Sequence, residues 1–470
     1  MKKIMLLALA LVTVLAGCAT PISKRTDSAS ASGAGVSQTE ATSAPGGSGQ
    51  ESLSEEDGAA EKLYFTDADG KAVFHIVYPE TTIEIIHDAA EVLRCALYEA
   101  TGADFQKHSD AAAAADGAYE ILIGDTNRAQ SEHTLAQREY SIRVDGNKIV
   151  IVGGSEYATA VAVSEFKRLF SQAAPYVTRD LSVRSSADTV YRVAVSNSGD
   201  SSVEVYDITP FDSEPTLVKR FLNVGATGIN FRSTEKYGDV MVCASGRTAK
   251  VIDYDTGEEI WKKTDVPGGA HGAELLPNGV VAVASSSSGT VSFFHMNGTA
   301  KKVMPLEDAH AVLWDPEYQV VWAAGYTEIR AYQVTVSDSG AITVTEDQSK
   351  RSPFKNTGGH DLAPVYYDKD KMWFSAFSKI YVFDKTTQTY SEEIPGDHGI
   401  VGVRRVKGLG NFPDGSMITT YPDEAPTSLQ TWTTEKLNFY FMYEGKLYYT
   451  PVYTPNMHYY KIRIVCTDYQ

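Results

Sequence analysis

The sequence predicts a mainly β protein, with a six-bladed β-propeller over residues 186–470 and a small α+β sandwich domain before it, over residues 63–185. Two observations predict the propeller. A strand, a tight turn and further strands recur at intervals of about 40–50 residues, which is typical of propeller blades. The turn between second and third strands occurs six times. Mixed helical and alternating periodicities predict the smaller domain.

The first 17 residues are typical of a signal peptide. Lys2 and Lys3 precede an apolar run, Ile4–Leu15, that is too short to span a bilayer. The segment LAGC that ends at Cys18 resembles the lipobox of bacterial lipoproteins. That resemblance implies cleavage before Cys18 and a lipid on its sulfur, so we expect a cell-surface protein anchored to the outer face of a bacterial membrane. The alternative is an ordinary secretory signal with an incidental cysteine.

A flexible tether is predicted over residues 18–62. Beyond Cys18 this segment consists mainly of Ser, Ala, Gly, Thr and Glu, with almost no large apolar side chains. Such a composition does not bury enough surface to offset its conformational entropy. We therefore expect it to hold the folded part away from the membrane.

The charge of the chain excludes some partners. With 60 acidic and 42 basic residues, the formal net charge is −18. An acidic surface disfavours nucleic acid and anionic lipid as partners. The part of the chain after the tether is longer than a single hydrophobic core usually supports, so two or more domains are expected. We expect a monomer.

The smaller domain is predicted from its local patterns. Apolar spacings of three and four predict helices over 83–100 and 156–170, and alternation predicts strands over 73–78 and 119–123. Asp145-Gly146 predicts the turn of a hairpin formed by 140–144 and 148–152. The resulting order, β-α-β-β-β-α, favours a sandwich with its helices on one face.

Two segments of this domain carry a resemblance to a known family. EILIGDTNR (120–128) and YSIRVDGNKIVIVGGSEYATAVAVSEF (140–166) resemble the non-catalytic domain that precedes the barrel of bacterial hexosaminidases and α-glucuronidases. The resemblance implies a carbohydrate-processing context. No alternation of strands and helices follows residue 185, so the catalytic carboxylates of that family have no counterpart here.

The six blades are predicted from six turn segments: 194–208, 242–255, 282–294, 322–332, 374–384 and 419–432. The first of these copies has no inner strand before it. Residues 458–465 are predicted to supply that strand at the centre of the blade that contains 190–208. Pairing the end of the region with its beginning would close the ring and remove the open sheet edge.

Five histidines are predicted to lie at one structural position, the start of an inner strand, with Thr227 in the sixth blade. These histidines are His271, His310, His360, His398 and His458. Inner strands surround the axial channel, so five imidazoles at its entrance would form a cluster of metal ligands or of acid and base groups. The alternative is a structural ring, in which each histidine bonds to a carbonyl of the neighbouring blade.

Charged residues near these histidines extend the predicted site. Asp308, Asp361 and Asp397 are candidates to orient an imidazole. Arg404 and Arg405, predicted on the inner strand after His398, are candidates to bind a carboxylate or sulfate in a bidentate manner. Strand alternation directs only one of the two towards the channel.

The histidine-led blades carry a second resemblance, over 190–466. They are similar to an uncharacterised propeller family of secreted bacterial proteins and, more distantly, to oligogalacturonate lyases. Those lyases hold manganese on histidines and cleave uronates by β-elimination. They have seven blades, however, and their ligand spacing is not matched here. The comparison suggests chemistry only, since fold does not imply function.

These observations support two hypotheses. In the first, the propeller binds a glycan or sugar-acid ligand, with a divalent metal (Mn, Zn, Ca or Ni) held by the five histidines as a candidate cofactor. Whether it cleaves is open. If it does, a lyase is favoured over a hydrolase, because no carboxylate pair stands at matched positions. His271, His310, His360 and Arg404 are then the catalytic candidates. In the second hypothesis, the propeller is a non-enzymatic protein-interaction module.

Overall fold

The computed structural model describes residues 60–113, 117–170, 175–225, 227–366, 368–396, 399–422 and 430–466. They belong to one compact unit, Ala59–Gln470. The predicted signal peptide, Cys18 and the tether up to residue 59 lie outside the described residues, as do Asp397 and His398. Within the described residues, neither α-helix combines the length and apolar character that crossing a membrane requires.

The elements before the propeller form a mixed sheet with two helices. In chain order they are β1 (Lys62–Tyr64), β2 (His75–Tyr78), α1 (Glu84–Thr101), β3 (Lys107–Ser109), β4 (Glu120–Ile123), β5 (Glu139–Asp145), β6 (Lys148–Gly153), α2 (Glu156–Leu169), β7 (Tyr176–Thr178) and β8 (Ser182–Ser186). The six-stranded sheet has the order β3-β2-β4-β6-β5-β8, and β1 pairs with β7 separately. The two predicted helices and the hairpin of β5 and β6 are confirmed.

Both helices pack on one face of this sheet because the strands alternate. Ile76, Ile121 and Ile149 share a core with the buried faces of α1 and α2, whereas Val77 and Leu122 belong to a small cluster on the other face. The helix ends follow from local chemistry. The Ser155 side chain accepts a hydrogen bond from the backbone N–H of Ala158 at 3.2 Å, which caps α2.

Six sheets form the propeller, as predicted; five have four strands, and the fourth has a short fifth strand. Listed from the inner strand outwards, the first blade contains β33 (Tyr459–Ile464), β9 (Tyr191–Asn197), β10 (Ser202–Ile208) and β11 (Thr216–Phe221). The second contains β12 (Gly228–Thr234), β13 (Gly238–Ser245), β14 (Thr248–Asp253) and β15 (Glu259–Lys263). The third contains β16 (Ala270–Leu275), β17 (Val280–Ser285), β18 (Thr290–His295) and β19 (Lys301–Pro305).

The remaining blades follow the same order. The fourth contains β20 (Ala311–Asp315), β21 (Val320–Ala324), β22 (Glu328–Val336) and β23 (Ile342–Glu346), and β24 (Ser352–Pro353) also pairs with β22. The fifth contains β25 (Asp361–Val365), β26 (Asp368–Ser375), β27 (Ile380–Asp384) and β28 (Thr389–Ser391). The sixth contains β29 (Gly408–Asn411), β30 (Met417–Thr420), β31 (Lys436–Tyr443) and β32 (Lys446–Tyr453).

The predicted closure of the ring is confirmed. Strand β33 is innermost in the first blade and pairs antiparallel with β9, with Tyr459 opposite Asn197 and Ile464 opposite Val193. The N-terminal elements pack on the sixth blade. The ammonium of Lys446 lies 2.6 Å from a carboxylate oxygen of Asp88 on α1, and the rings of Tyr157 and Phe441 meet edge to face.

Adjacent inner strands approach each other closely where a glycine replaces a side chain. A Cβ added to Gly228 would lie 2.6 Å from the carbonyl oxygen of His271 and 2.7 Å from the Cα of Gly272. We therefore expect Gly228→Ala to destabilise the protein by about 1–3 kcal/mol, since the backbones must separate. Gly402→Ala is the control, because the nearest atom to its added Cβ is 3.6 Å away. Equal thermal denaturation midpoints for both variants would contradict the expectation.

Candidate functional site

Residues at the start of the inner strands converge on one mouth of the channel. Thr227, His310, His360 and Lys407 each precede the inner strand of their blade. Their backbone N–H groups all donate to one carbonyl position on the second strand, that of Ala244, Ala324, Ser375 and Thr420. His271 is the second residue of β16, next to a register shift between Ala270 and Gly272. The structure thus brings three of the five predicted histidines to equivalent positions.

The other predicted positions are corrected by the strand bounds. The inner strand of the sixth blade begins at Gly408, so the residue before it is Lys407 and not His398. Arg404 and Arg405 precede this strand and do not lie on it. Arg404 is exposed, and Arg405, at φ 58°, is half-buried.

The first blade also differs from the prediction. A register shift separates Tyr459 from Ile462 in β33. Because of this bulge, Lys461 takes the position that was predicted for His458. The backbone N–H of Lys461 donates to the hydroxyl of Ser196 on the second strand, β9, at 2.8 Å. No ring contact within the described residues joins His458 to the other imidazoles.

We call the converging group the His–Lys cluster; its members are His271, His310, His360, Lys407 and Lys461. The ring centroids of His271 and His310 are 4.5 Å apart, and those of His310 and His360 are 4.8 Å apart. The Lys407 Nζ lies 3.0 Å from the Nε2 of His360. The Tyr460 ring borders the cluster, 6.0 Å from His271 and 5.8 Å from the Lys407 ammonium.

Two of the imidazoles are held in a defined tautomer. The Nδ1 of His271 lies 2.7 Å from the carbonyl oxygen of Gly269, and the Nδ1 of His310 lies 2.9 Å from that of Asp308. A carbonyl oxygen only accepts, so each Nδ1 carries the proton and each Nε2 keeps its lone pair. Burial, together with the neighbouring His310, lowers the pKa of His271 to about 4. Burial also lowers the pKa of His310 to about 4, so both rings are neutral at pH 7.

The third imidazole is neutral as well. Burial and the adjacent Lys407 lower the pKa of His360 strongly. Its Nε2 accepts a hydrogen bond from the Lys407 ammonium, and its buried Nδ1 has no hydrogen-bond partner among the described residues. Such an unpartnered buried nitrogen is uncommon in a folded protein.

The lysines give the mouth a positive charge in an acidic protein. Burial, followed by Lys461 and Arg405, lowers the pKa of Lys407 to about 7. Burial also lowers the pKa of Lys461 to about 8, against the opposing effect of Asp361. Asp308 is the acidic group near the mouth, and burial raises the pKa of its carboxyl. The positive potential of clustered cations with low-dielectric walls attracts anions.

Beneath the cluster the channel is filled by an ion network. The carboxylate of Asp361 is fully buried, 2.8 Å from the Lys461 Nζ and 2.6 Å from both terminal nitrogens of Arg463. These cations lower the pKa of Asp361, although burial alone would raise it. Asp361 therefore holds lysine and arginine and does not orient an imidazole, which corrects its predicted role.

The cluster fits a metal ion poorly. A histidine whose Nδ1 binds a carbonyl is arranged as metal-binding histidines are, and His271 and His310 meet this condition. However, the Lys407 ammonium occupies the Nε2 of His360, and a dication would face the positive charges of Lys407 and Lys461. No group of three or more His, Cys, Asp or Glu among the described residues is placed to hold a metal.

Residues other than the histidines connect neighbouring blades at this level. The Thr227 hydroxyl donates to the carbonyl of Ala270 at 2.6 Å, and the Asn230 amide donates to that of Ala273 at 2.9 Å. By contrast, the Nδ1 atoms of His271 and His310 contact carbonyls of the loops that lead into their own strands. These two histidines are therefore not the inter-blade contacts that the structural hypothesis required.

Comparisons with known proteins give the following. Solved structures similar to this chain include a hydrazine synthase from Kuenenia stuttgartiensis (13% identity, TM-score 0.34, covering 49% of this chain and 67% of that one). Another is a nidogen/laminin complex, with 11% identity and a TM-score of 0.41, covering 59% of this chain and 98% of that one. A third is a functionally unknown protein from Desulfotomaculum acetoxidans DSM 771, with 13% identity and a TM-score of 0.36, covering 61% of this chain and 92% of that one. A search of curated proteins finds no match.

One family model matches the chain. It describes a family of unknown function (DUF6528), and the match covers residues 233–460. This stretch contains His271, His310, His360 and Lys407 and ends just before Lys461. The propeller region thus matches, over its greater part, a family whose members have no assigned function.

Proposed function

We propose that the His–Lys cluster binds the carboxylate of a uronate-containing oligosaccharide or related sugar acid. One observation carries the proposal: two buried lysines and three neutral imidazoles meet at one channel mouth, in a protein of net charge −18. Ammonium groups bind carboxylates through charge-assisted hydrogen bonds. The lone pairs of His271 and His310 would accept protons from sugar hydroxyls.

The same geometry supports cleavage by β-elimination as the associated reaction. A neutral imidazole with a free Nε2 lone pair, at His271 or His310, would take the C5 proton next to the uronate carboxylate. The C4–O glycosidic bond would then break as a C4=C5 double bond forms, and the leaving oxygen would take its proton from the imidazolium or from water. Lys407 would stabilise the negative charge that develops on that carboxylate, with the buried Lys461, paired with Asp361, adding to the field from beneath. Arg404, exposed and outside the cluster, has no role in this proposal. The predicted lipid at Cys18 would place the activity at a bacterial cell surface.

Trigalacturonate and its fully methyl-esterified form test the binding. We expect the acid to bind and the ester, which lacks the carboxylates, to bind much more weakly. Lys407→Met should weaken binding of the acid about 10- to 100-fold, since a hydrogen bond to a charged group contributes about 1.5–3 kcal/mol. Isothermal titration calorimetry measures both. Lys262→Met, on the outer strand β15, is the matched control and should bind normally.

Equal affinity for acid and ester, or unchanged affinity in Lys407→Met, would contradict the proposal. A rise in ultraviolet absorbance from unsaturated uronate, lost in His310→Gln, would establish cleavage. If the acid binds without any such rise, the protein is a binding protein and the elimination step is wrong. Binding that persists in a metal chelator is expected, because the donor set favours an anion.

A further inference from the structure

A second pocket opens on the face of the propeller opposite the His–Lys cluster. It has a volume of about 670 Å³ and lies at the far ends of the inner strands β12, β16 and β20. We call it the far-face pocket; the residues used below are Arg232, Tyr237, Leu275, Trp314 and Pro316. Its size falls within the range of small-molecule sites.

The charge at the base of this pocket is cancelled. The Nε of Arg232 lies 3.0 Å from one carboxylate oxygen of Glu274, and its Nη2 lies 2.7 Å from the other. These two contacts make the pair a bidentate ion pair, and the Glu274 side chain in it is fully buried. With this arginine neutralised, the base offers hydrogen-bond donors without a net charge.

Two of these donors have no acceptor among the described residues. Arg232 uses Nε and Nη2 for Glu274, with a further bond from Nη2 to the carbonyl of Trp314, and its Nη1 is left over. The indole N–H of Trp314, a residue only 8% exposed, is likewise without a partner in that part of the chain. Neither atom is among the buried side-chain nitrogens and oxygens that lack a partner, so both reach the solvent of the pocket and are available to acceptor oxygens of a bound group.

The walls of the pocket combine apolar and aromatic surface with polar side chains (Ser233, Thr234, Asn278, Asn297) and the charged Glu235 and Lys236. Leu275 and Pro316 supply aliphatic surface, and the half-buried Tyr237 supplies a ring on the turn between β12 and β13. Aromatic and aliphatic walls around a few directed donors suit a sugar, which has apolar C–H faces and hydroxyl oxygens. The absence of uncompensated charge at the base disfavours an anion.

We infer that the far-face pocket binds a neutral saccharide, independently of the anion site at the other mouth. The Arg232 Nη1 and the Trp314 indole N–H donate to its hydroxyl or amide oxygens. A C–H face of the sugar packs on Tyr237 in place of the ammonium of the exposed Lys236, which lies 4.7 Å from the ring centroid. The protein then has two saccharide sites of different charge preference, one on each face of the ring.

Cellobiose and N,N′-diacetylchitobiose are suitable neutral probes, with binding followed by saturation-transfer NMR and calorimetry. We expect at least one of them to bind. Trp314→Phe, which keeps a ring but removes the N–H, should weaken binding about tenfold, as expected for one hydrogen bond. Tyr237→Ala should weaken it by a similar factor. Trp432→Phe is the matched control, since Trp432 is 49% exposed on the sixth blade.

Failure of both disaccharides to bind the unaltered protein would overturn the inference. So would binding that is unchanged in Trp314→Phe and Tyr237→Ala, or binding that disappears in Lys407→Met, because the sugar would then occupy the His–Lys cluster. Melting temperatures show whether each variant folds. If Trp314→Phe does not fold, Tyr237→Ala on its exposed turn decides the question.

Discussion

Asp361→Asn is expected to lower the stability of the protein by about 3–5 kcal/mol, as is usual when one partner of a buried ion pair is removed. Asparagine preserves the shape of the side chain and its contact with the backbone N–H of Leu409. It removes the negative charge that lies against the ammonium of Lys461 and the guanidinium of Arg463. Both cations remain buried beside the channel axis, where water cannot replace the carboxylate.

Thermal denaturation measures this effect. For a unit of this size, a loss of that magnitude corresponds to a decrease of roughly 4–6 °C in the melting temperature. Asp207→Asn is the matched control, because Asp207 pairs with a half-exposed arginine, Arg192, at the surface, and such pairs contribute about 0–1 kcal/mol. Similar losses in the two variants would show that the channel network does not stabilise the ring.

Acidification from pH 6.5 to pH 4 should destabilise the protein by several kcal/mol through the histidines of the cluster. In the unfolded chain His271 and His310 take up protons near their ordinary pKa of about 6.5. In the folded protein their pKa values are about 4. Between these values the unfolded state binds more protons, so stability is fully present above pH 6.5 and falls as the pH drops towards 4. Each ring contributes up to about 3 kcal/mol.

Melting temperatures measured between pH 7 and pH 4 test this expectation. His310→Gln cannot titrate in this range, so the variant should lose less stability on acidification than the unaltered protein. His87→Gln, on α1 outside the propeller, controls for the loss of a histidine. Titration of Asp361 does not confuse the result, because its pKa is below the ordinary value and its contribution is lost at lower pH. A parallel pH profile for His310→Gln would show that the cluster does not control acid stability.

The six-bladed ring was predictable from the sequence because the pattern that indicates a blade occurs several times along the chain. Six similar turns specify six blades, and the missing inner strand before Tyr191 has one obvious supplier, the strand at Tyr459–Ile464. The N-terminal helices and the hairpin at Asp145-Gly146 follow from equally local signals. The edge strands β3 and β8 were not predicted, because they are short and largely polar and show no apolar alternation.

The chemistry of the site was only partly predictable. Three histidines were identified from their repeated position, but the two lysines were missed. The bulge in β33 shifts Lys461 into the position expected for His458, and alternation does not reveal a bulge. In the sixth blade, the inner strand is only four residues long, so the apolar stretch before it suggested a longer strand and an earlier start. Lys407 precedes its inner strand as His360 precedes its own, and an alignment of these two segments could have identified Lys407.

The strand that closes the ring also completes the His–Lys cluster. Lys461 and Arg463 lie on β33, and their partner Asp361 lies on β25, about 100 residues earlier in the chain. Until β33 adds to the first blade, the Asp361 carboxylate lacks these two cations and the cluster lacks Lys461. On the function proposed above, closure of the ring and completion of the anion site are therefore one event, and an intermediate with five finished blades would lack part of the ligand contacts.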